Sequence, residues 1–106
     1  MDIEDWRRMI DEIDAQLVEL LNRRSRCALE IGKLKRAQNL PLYSPEREQQ
    51  VLEHVRRLNR GPLDDDALQR LFERIIDESR RLERLAAESP DGLDEPQPGM
   101  RRREER

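Results

Sequence analysis

Three cationic side chains lie on or beside the apolar stripe of the first predicted helix. Arg24 occupies a position in this stripe between Leu20 and Cys27, and two further cations lie just beside it. On a straight helix, Arg24 and Lys35 are roughly 16 Å apart, so their long side chains can reach one small anion together. Arg7 and Lys35 are roughly 42 Å apart. Arg7 can therefore join the same anion only from a second, antiparallel copy of the chain.

A guanidinium in an apolar stripe needs an anionic partner, because an unpaired buried charge is strongly destabilising. The planar fork of Arg24 matches a carboxylate, so one interpretation is a carboxylate-binding site for a small ligand. An interhelical salt bridge, or a device that fixes helix register, explains the same residue equally well. Arg7 and Lys35 taken alone are typical of flanking salt-bridge residues.

Polar residues also interrupt the apolar faces of two later helices. Glu48 shares a face with apolar residues of the second helix, and Arg47 precedes it. Ser79 and Glu83 are four residues apart, so they share a face of the third helix. A close helix–helix contact explains Ser79 equally well. Taken together, polar groups that converge inside a helical core predict a pocket for a small anion.

Three helical segments must position these side chains. The apolar periodicity predicts a long first helix over residues 2–38, which ends before Pro41. A second helix begins at Ser44 and Pro45, since serine is a good N-cap and proline fits the first helical position. A third helix follows Leu63, with Asp64 as its N-cap. The sequence therefore predicts an all-α fold.

The composition favours a small helical protein that associates with a copy of itself. The chain has 106 residues, of which 42% are charged, with a net charge of -3 and a mean hydropathy of -1.04. So little apolar material makes a small core, for which oligomerisation is a common remedy. Interspersed charges of both signs argue against a nucleic-acid partner. We predict a helical domain over residues 1–87 and a disordered charged tail over residues 88–106, where prolines and glycines break any helix.

The remaining composition signals exclude several classes of protein. Cys27 is the single cysteine, which excludes an intrachain disulfide framework, and we expect it to be a small buried residue. No apolar run is long enough for a membrane span or a signal peptide. We therefore expect a cytoplasmic protein with no membrane partner and no metal site.

The order and spacing of these residues resemble the all-α chorismate mutases, a family of intertwined helical dimers that convert chorismate to prephenate. The matching segments are WRRMIDEID (6–14), LLNRR (20–24), EIGKLK (30–35), PERE (45–48) and the pattern LFxxIIxxS (71–79). The resemblance covers residues 3–86. It implies an intertwined antiparallel homodimer with two shared active sites.

The resemblance also implies a role for each residue at a matching position. Arg24, together with Arg7 from the second protomer, would hold the two carboxylates of the substrate. Lys35 would bond the ether oxygen of the breaking bond and a nearby carboxylate. Arg47 would support the pocket, and Glu48 would accept a hydrogen bond from the ring hydroxyl.

The resemblance implies two further substrate contacts, and the chain differs from the familiar bacterial pattern at two positions of the site. Ser79 would help to position a carboxylate, and Glu83 would be the second donor to the ether oxygen. The familiar bacterial pattern has glutamine at position 83, and a glutamate donates only when it is protonated. Ser44 stands where that pattern has aspartate.

The function that the resemblance implies is chorismate mutase activity in aromatic amino-acid biosynthesis, with the chorismate dianion as substrate. The rearrangement is unimolecular and pericyclic, so it needs no nucleophile, metal or cofactor. A similar fold performs isochorismate–pyruvate lysis with a related cationic pocket, which is one alternative. A non-catalytic helical dimerisation module is the other, although a scaffold has no reason to place Arg7, Arg24, Lys35 and Glu48 together.

Overall fold

A computed structural model of the chain describes residues 1–88, which form three helices. They are α1 (Ile3–Ala37), α2 (Pro45–Leu58) and α3 (Asp65–Glu88). This confirms the predicted all-α fold with a long first helix, and residues 1–88 contain no strand. The predicted tail lies outside the described residues except for Glu88, which ends α3.

Local capping interactions fix where each helix begins and ends. Asp2 caps α1 in a reciprocal capping box with Asp5. After the last turn of α1 the chain reverses at Asn39, whose φ of 59° is in the left-handed region that asparagine tolerates. The Ser44 side chain caps α2 with Pro45 at its first position, and Asp64 Oδ1 accepts the Ala67 N–H at 2.6 Å to cap α3.

Helix α3 lies against both α1 and α2 and joins them into one flat body. The principal extents are 53 × 38 × 14 Å, and at about 1.5 Å per residue α1 alone spans the longest of them. The buried hydrophobic residues are few and small or medium in size: Ala28, Val55, Ile76 and Ala86. They lie where α3 crosses the other two helices, so the core of the single chain is confined to one end of α1.

The apolar stripe on the first half of α1 is not covered by any part of residues 1–88. Trp6 and Ile10 are each 54% exposed, and the next apolar residues along the stripe are similar. Cys27 is also exposed, so the prediction of a buried cysteine is wrong for the single chain. The physical reason is that Cys27 belongs to the same uncovered stripe, although it lies beside the cavity described below.

No helix within residues 1–88 has the length and hydrophobicity that crossing a membrane requires. In the same part of the chain, His, Cys, Asp and Glu side chains form no cluster that could hold a metal ion.

Candidate active site

A cavity of about 220 Å³ lies where the second half of α1, the start of α2 and the second half of α3 meet. It is lined by every site residue that the sequence predicts except Arg7, namely Arg24, Lys35, Ser44, Arg47, Glu48, Ser79 and Glu83. The helices thus bring together side chains that are as many as 59 positions apart in sequence (Arg24 to Glu83).

Arg24 reaches from α1 to α3 across the cavity. Its Nη1 donates a hydrogen bond to Ser79 Oγ at 3.0 Å, and Ser79 is only 8% exposed. Arg24 is half-buried, and no carboxylate of residues 1–88 forms an ion pair with it. The guanidinium therefore contacts a neutral hydroxyl, and its other donors could serve an anionic ligand. This arrangement favours the carboxylate-binding interpretation over a salt bridge within the chain.

Lys35 is held at the far wall of the cavity by the segment that connects α1 and α2. Its Nζ donates a hydrogen bond to the carbonyl oxygen of Leu42 at 2.9 Å. An ammonium group has three donors, so this bond fixes the position of the charge and leaves donors for a ligand. Leu42 lines the same cavity, which makes the wall partly apolar.

The first turn of α2 closes another side of the cavity. The Ser44 hydroxyl accepts the backbone N–H of Arg47 at 3.3 Å, so this side chain is engaged in capping the helix. The Arg47 side chain is largely exposed at the edge of the cavity, and its Nη1 donates to Gln50 Oε1 at 3.5 Å. Glu48 is half-buried and forms an ion pair with Arg80.

Glu83 is the most buried acid of the site, with 9% of its surface exposed. This burial raises the pKa of the Glu83 carboxyl, while the charges of Lys35, Arg36 and Arg80 oppose the shift. Close packing against Gly32 of α1 contributes to the burial, because a Cβ at that position would lie 3.4 Å from Glu83 Cγ. A carboxyl whose pKa is raised in this way keeps its proton to higher pH and can then donate a hydrogen bond.

Arg7 lies outside the cavity, near the start of α1. Its Nη1 contacts Glu4 Oε2 at 2.9 Å, and both side chains are about two-thirds exposed. The single chain therefore does not bring Arg7 to the site. Its predicted contribution from a second copy stays a prediction.

Arg80 is a cavity residue that the sequence reasoning missed. It follows Ser79 on α3, its Nε lies 3.3 Å from Glu48 Oε2, and its guanidinium carbon lies 4.7 Å from the centre of the Tyr43 ring. Its position three residues before Glu83 is a signal that could have revealed it, since such residues share a helix face. On α3, only the polar residues that interrupt the apolar face, Ser79 and Glu83, were considered from the sequence.

The charge balance of the cavity suits a small molecule with more than one negative charge. Its lining carries four cations, Arg24, Lys35, Arg47 and Arg80, and two acids, Glu48 and Glu83. One of these acids is paired with Arg80, and the other has a raised pKa. No histidine lines the cavity, so Cys27 and the two serines there have no histidine as a general base. The arrangement is suited to binding and polarising an anion.

Comparison with known proteins extends these observations. A family model described as chorismate mutase type II matches residues 6–84. The bifunctional chorismate mutase/prephenate dehydratase of Stutzerimonas stutzeri is 38% identical over 94 residues, which cover 81% of this chain and 26% of that protein. The chain thus spans about a quarter of the length of this bifunctional relative.

Solved structures give the same result for the fold. A chorismate mutase from Thermus thermophilus is 34% identical, with a TM-score of 0.76, and the match covers 77% of this chain and 93% of that one. The chorismate mutase of Helicobacter pylori, solved in complex with prephenate, is 30% identical with a TM-score of 0.74, covering 81% and 93% of the two chains. With the family model spanning all three helices, the chain belongs to the type II chorismate mutase family.

Proposed function

We propose that this protein catalyses the rearrangement of chorismate to prephenate. The observation that carries the proposal is the cavity in which Arg24 and Lys35 face a buried carboxyl of raised pKa, Glu83. Family membership and a prephenate-bound relative of the same fold support the choice of substrate. The reaction breaks a carbon–oxygen bond and forms a carbon–carbon bond within one molecule, so it requires no nucleophile or co-substrate.

The cavity residues divide between binding the dianion and stabilising the charge that develops on it. Arg24 binds one carboxylate with the donors that Ser79 does not use. Glu48 accepts the hydrogen bond of the ring hydroxyl, and together these contacts hold the substrate in its compact reactive conformation. As the bond breaks, the ether oxygen gains negative charge, which Lys35 and protonated Glu83 stabilise by hydrogen bonds in a site poor in water.

A second, antiparallel copy of the chain completes each site in this proposal. The exposed stripe on the first half of α1 supports such a copy, because Trp6, Ile10 and Ile13 are each more than half exposed in the single chain. Arg7 lies on that same half, more than 40 Å from Lys35 at about 1.5 Å per residue. The second copy would cover the stripe and contribute Arg7 for the other carboxylate.

The cellular setting follows from the reaction. We infer a cytoplasmic protein of aromatic amino-acid biosynthesis that acts on a free small molecule without cofactor, metal, nucleic acid or membrane. The even mixture of charges on the chain, with a net charge of -3, supports the absence of a nucleic-acid partner.

The decisive experiment follows the loss of chorismate absorbance with purified protein and identifies the product. Prephenate as the product would support the proposal. Isochorismate is tested in parallel, and pyruvate plus salicylate from it, without turnover of chorismate, would instead assign the protein as an isochorismate–pyruvate lyase. Absence of turnover of both substrates, together with no binding of prephenate by calorimetry, would favour the non-catalytic dimerisation module.

A further inference from the structure

Arg80 connects three separate segments of the chain at one side of the cavity. Its side chain extends from α3 to Glu48 on the first turn of α2 and to Tyr43 in the segment between α1 and α2. It is 39% exposed, so it forms a wall between the cavity and solvent. Arg80 borders both the cavity and the outer surface. We therefore expect a substitution of Arg80 to change the part of the cavity that Glu48 lines.

The guanidinium of Arg80 is fixed in its plane by two carboxylates and an aromatic ring. Nε lies 3.3 Å from Glu48 Oε2, and Nη2 lies 3.1 Å from Asp77 Oδ1. Its central carbon lies over the Tyr43 ring, 4.7 Å from the ring centre. An ammonium group cannot use two edges and a face at once, so this geometry is specific to arginine.

The same contacts restrict the carboxylate of Glu48. The terminal torsion of a glutamate is broad, and an unpaired carboxylate samples many orientations. The ion pair engages Oε2, which leaves Oε1 for another donor. Glu48 therefore offers a ligand one acceptor in a defined orientation, and the orientation is set by a residue that lies on a different helix.

We propose that Arg80 is a positioning residue that acts through Glu48, holding this carboxylate ready to accept a hydrogen bond from the hydroxyl group of the bound dianion. Arg80 also closes that side of the cavity. The inference rests on the proposed function for the identity of the ligand. It does not give Arg80 a contact with the reacting atoms.

The test is a double-mutant cycle that compares Arg80→Met, Glu48→Gln and the double variant. Methionine keeps an unbranched apolar side chain but loses the charge, the ion pairs with Glu48 and Asp77, and the guanidinium over the Tyr43 ring. In the wild-type background, Arg80→Met should lower kcat/KM for chorismate about tenfold, because it removes the ion pair that orients the acceptor. In the Glu48→Gln background the same substitution should change kcat/KM less than about twofold, because the residue through which Arg80 acts is no longer a carboxylate.

Two matched variants separate positioning from a general effect of charge or stability. Arg81→Met removes the neighbouring, more exposed arginine, which pairs with Glu78 instead, and it should leave kcat/KM unchanged. Arg80→Lys keeps the charge but not the fork, so it should recover only part of the lost activity. The melting temperature of each variant is measured in parallel.

Three outcomes would overturn the inference. An Arg80→Met variant with wild-type kinetics would show that the ion pair is not needed. Equal losses of kcat/KM in the wild-type and Glu48→Gln backgrounds would show that Arg80 acts independently of Glu48. A loss of activity that only parallels the fall in melting temperature would show that Arg80 acts through stability and not by positioning Glu48. The same cycle is measured on prephenate affinity by calorimetry, so a slow Glu48→Gln variant still gives a result. Failure of the wild type on both readouts would count against the proposed function instead.

Discussion

The two halves of α1 have the same apolar periodicity but different surroundings. From Arg24 to Lys35 the helix lies against α3 and lines the cavity, with Ala28 buried between them, although Ile31 and Leu34 remain 50% and 60% exposed. From Ile3 to Leu21 it carries an equally regular stripe that no part of residues 1–88 covers. One half of the helix thus packs along one face against α3, and the other half leaves both its apolar residues and Arg7 exposed, where the proposed second copy would bind.

The largest effect is expected from a charge placed in the uncovered stripe. Ile10→Glu should convert the protein to a poorly folded monomer without activity, because a carboxylate at the proposed dimer interface would be buried without a partner. Sedimentation and circular dichroism measure the two changes. Glu12→Gln, an exposed change two residues away, is the matched control and should have no effect. A wild-type protein that sediments as a monomer, or an active Ile10→Glu dimer, would contradict the assignment of this stripe.

The next test asks whether the two halves of α1 serve one site from different chains. Arg7→Ala and Lys35→Ala should each lower kcat/KM by about a hundredfold or more, since each removes a cation from the bound dianion. Arg8→Ala is the matched control, because Arg8 pairs with Asp5 within the same turn.

Mixing the two inactive variants by joint unfolding and refolding should restore part of the activity. Random pairing makes half of the dimers mixed, and each mixed dimer has one site with both defects and one site with none, so about a quarter of all sites recover. Heterodimers that form without any recovery of activity would show that Arg7 and Lys35 do not contribute to one site across two chains.

Replacement of Arg24 should affect the catalytic activity much more than the stability of the fold. Arg24→Leu removes a half-buried charge whose contact within residues 1–88 is a neutral hydroxyl, so the melting temperature should stay the same or rise. Activity should fall about a hundredfold, because the carboxylate loses its fork-shaped partner. Thermal denaturation and steady-state kinetics are compared on the same sample. Unfolding of the variant would instead make Arg24 a structural residue of the α1–α3 contact.

The smallest effect is a change in pH dependence at Glu83. Burial raises the pKa of this carboxyl against the opposing charges of Lys35, Arg36 and Arg80. The protonated form donates to the ether oxygen, so turnover should fall as pH rises through the Glu83 pKa of the complex. Glu83→Gln donates at any pH and should flatten the profile. Parallel profiles of the two proteins would exclude Glu83 as a donor.

The same variant gives a stability readout that does not depend on substrate. The folded protein binds the Glu83 proton more tightly than the unfolded chain, because the folded pKa is raised. The resulting stability is fully present below the unfolded pKa and is lost as pH rises through the folded pKa. The melting temperature of Glu83→Gln relative to wild type should therefore increase from acidic to neutral pH, by a few degrees. A difference that is constant with pH would contradict the raised pKa.

The lining of the cavity shows which of its residues the sequence pointed to and which it did not. Glu48, Ser79 and Glu83 were predicted because each interrupts an apolar face, and all three line the cavity. Arg80 and Tyr43 were missed because their importance depends on which elements meet, and neither breaks a periodic pattern. The prediction that Cys27 is buried was wrong for the single chain. An apolar stripe indicates that a helix face is covered, but it does not show whether the same chain or another molecule covers it.

The sequence alone determined the three helices, their ends and the apolar face of each one. These features depend on interactions between residues a few positions apart, such as the Ser44 cap and the three-and-four spacing of α1. Only the tertiary structure decided that Arg80 pairs with Glu48 and that Gly32 packs against a buried Glu83. Those contacts depend on how the helices cross and on their register, which are set by packing between distant segments and not by local propensity.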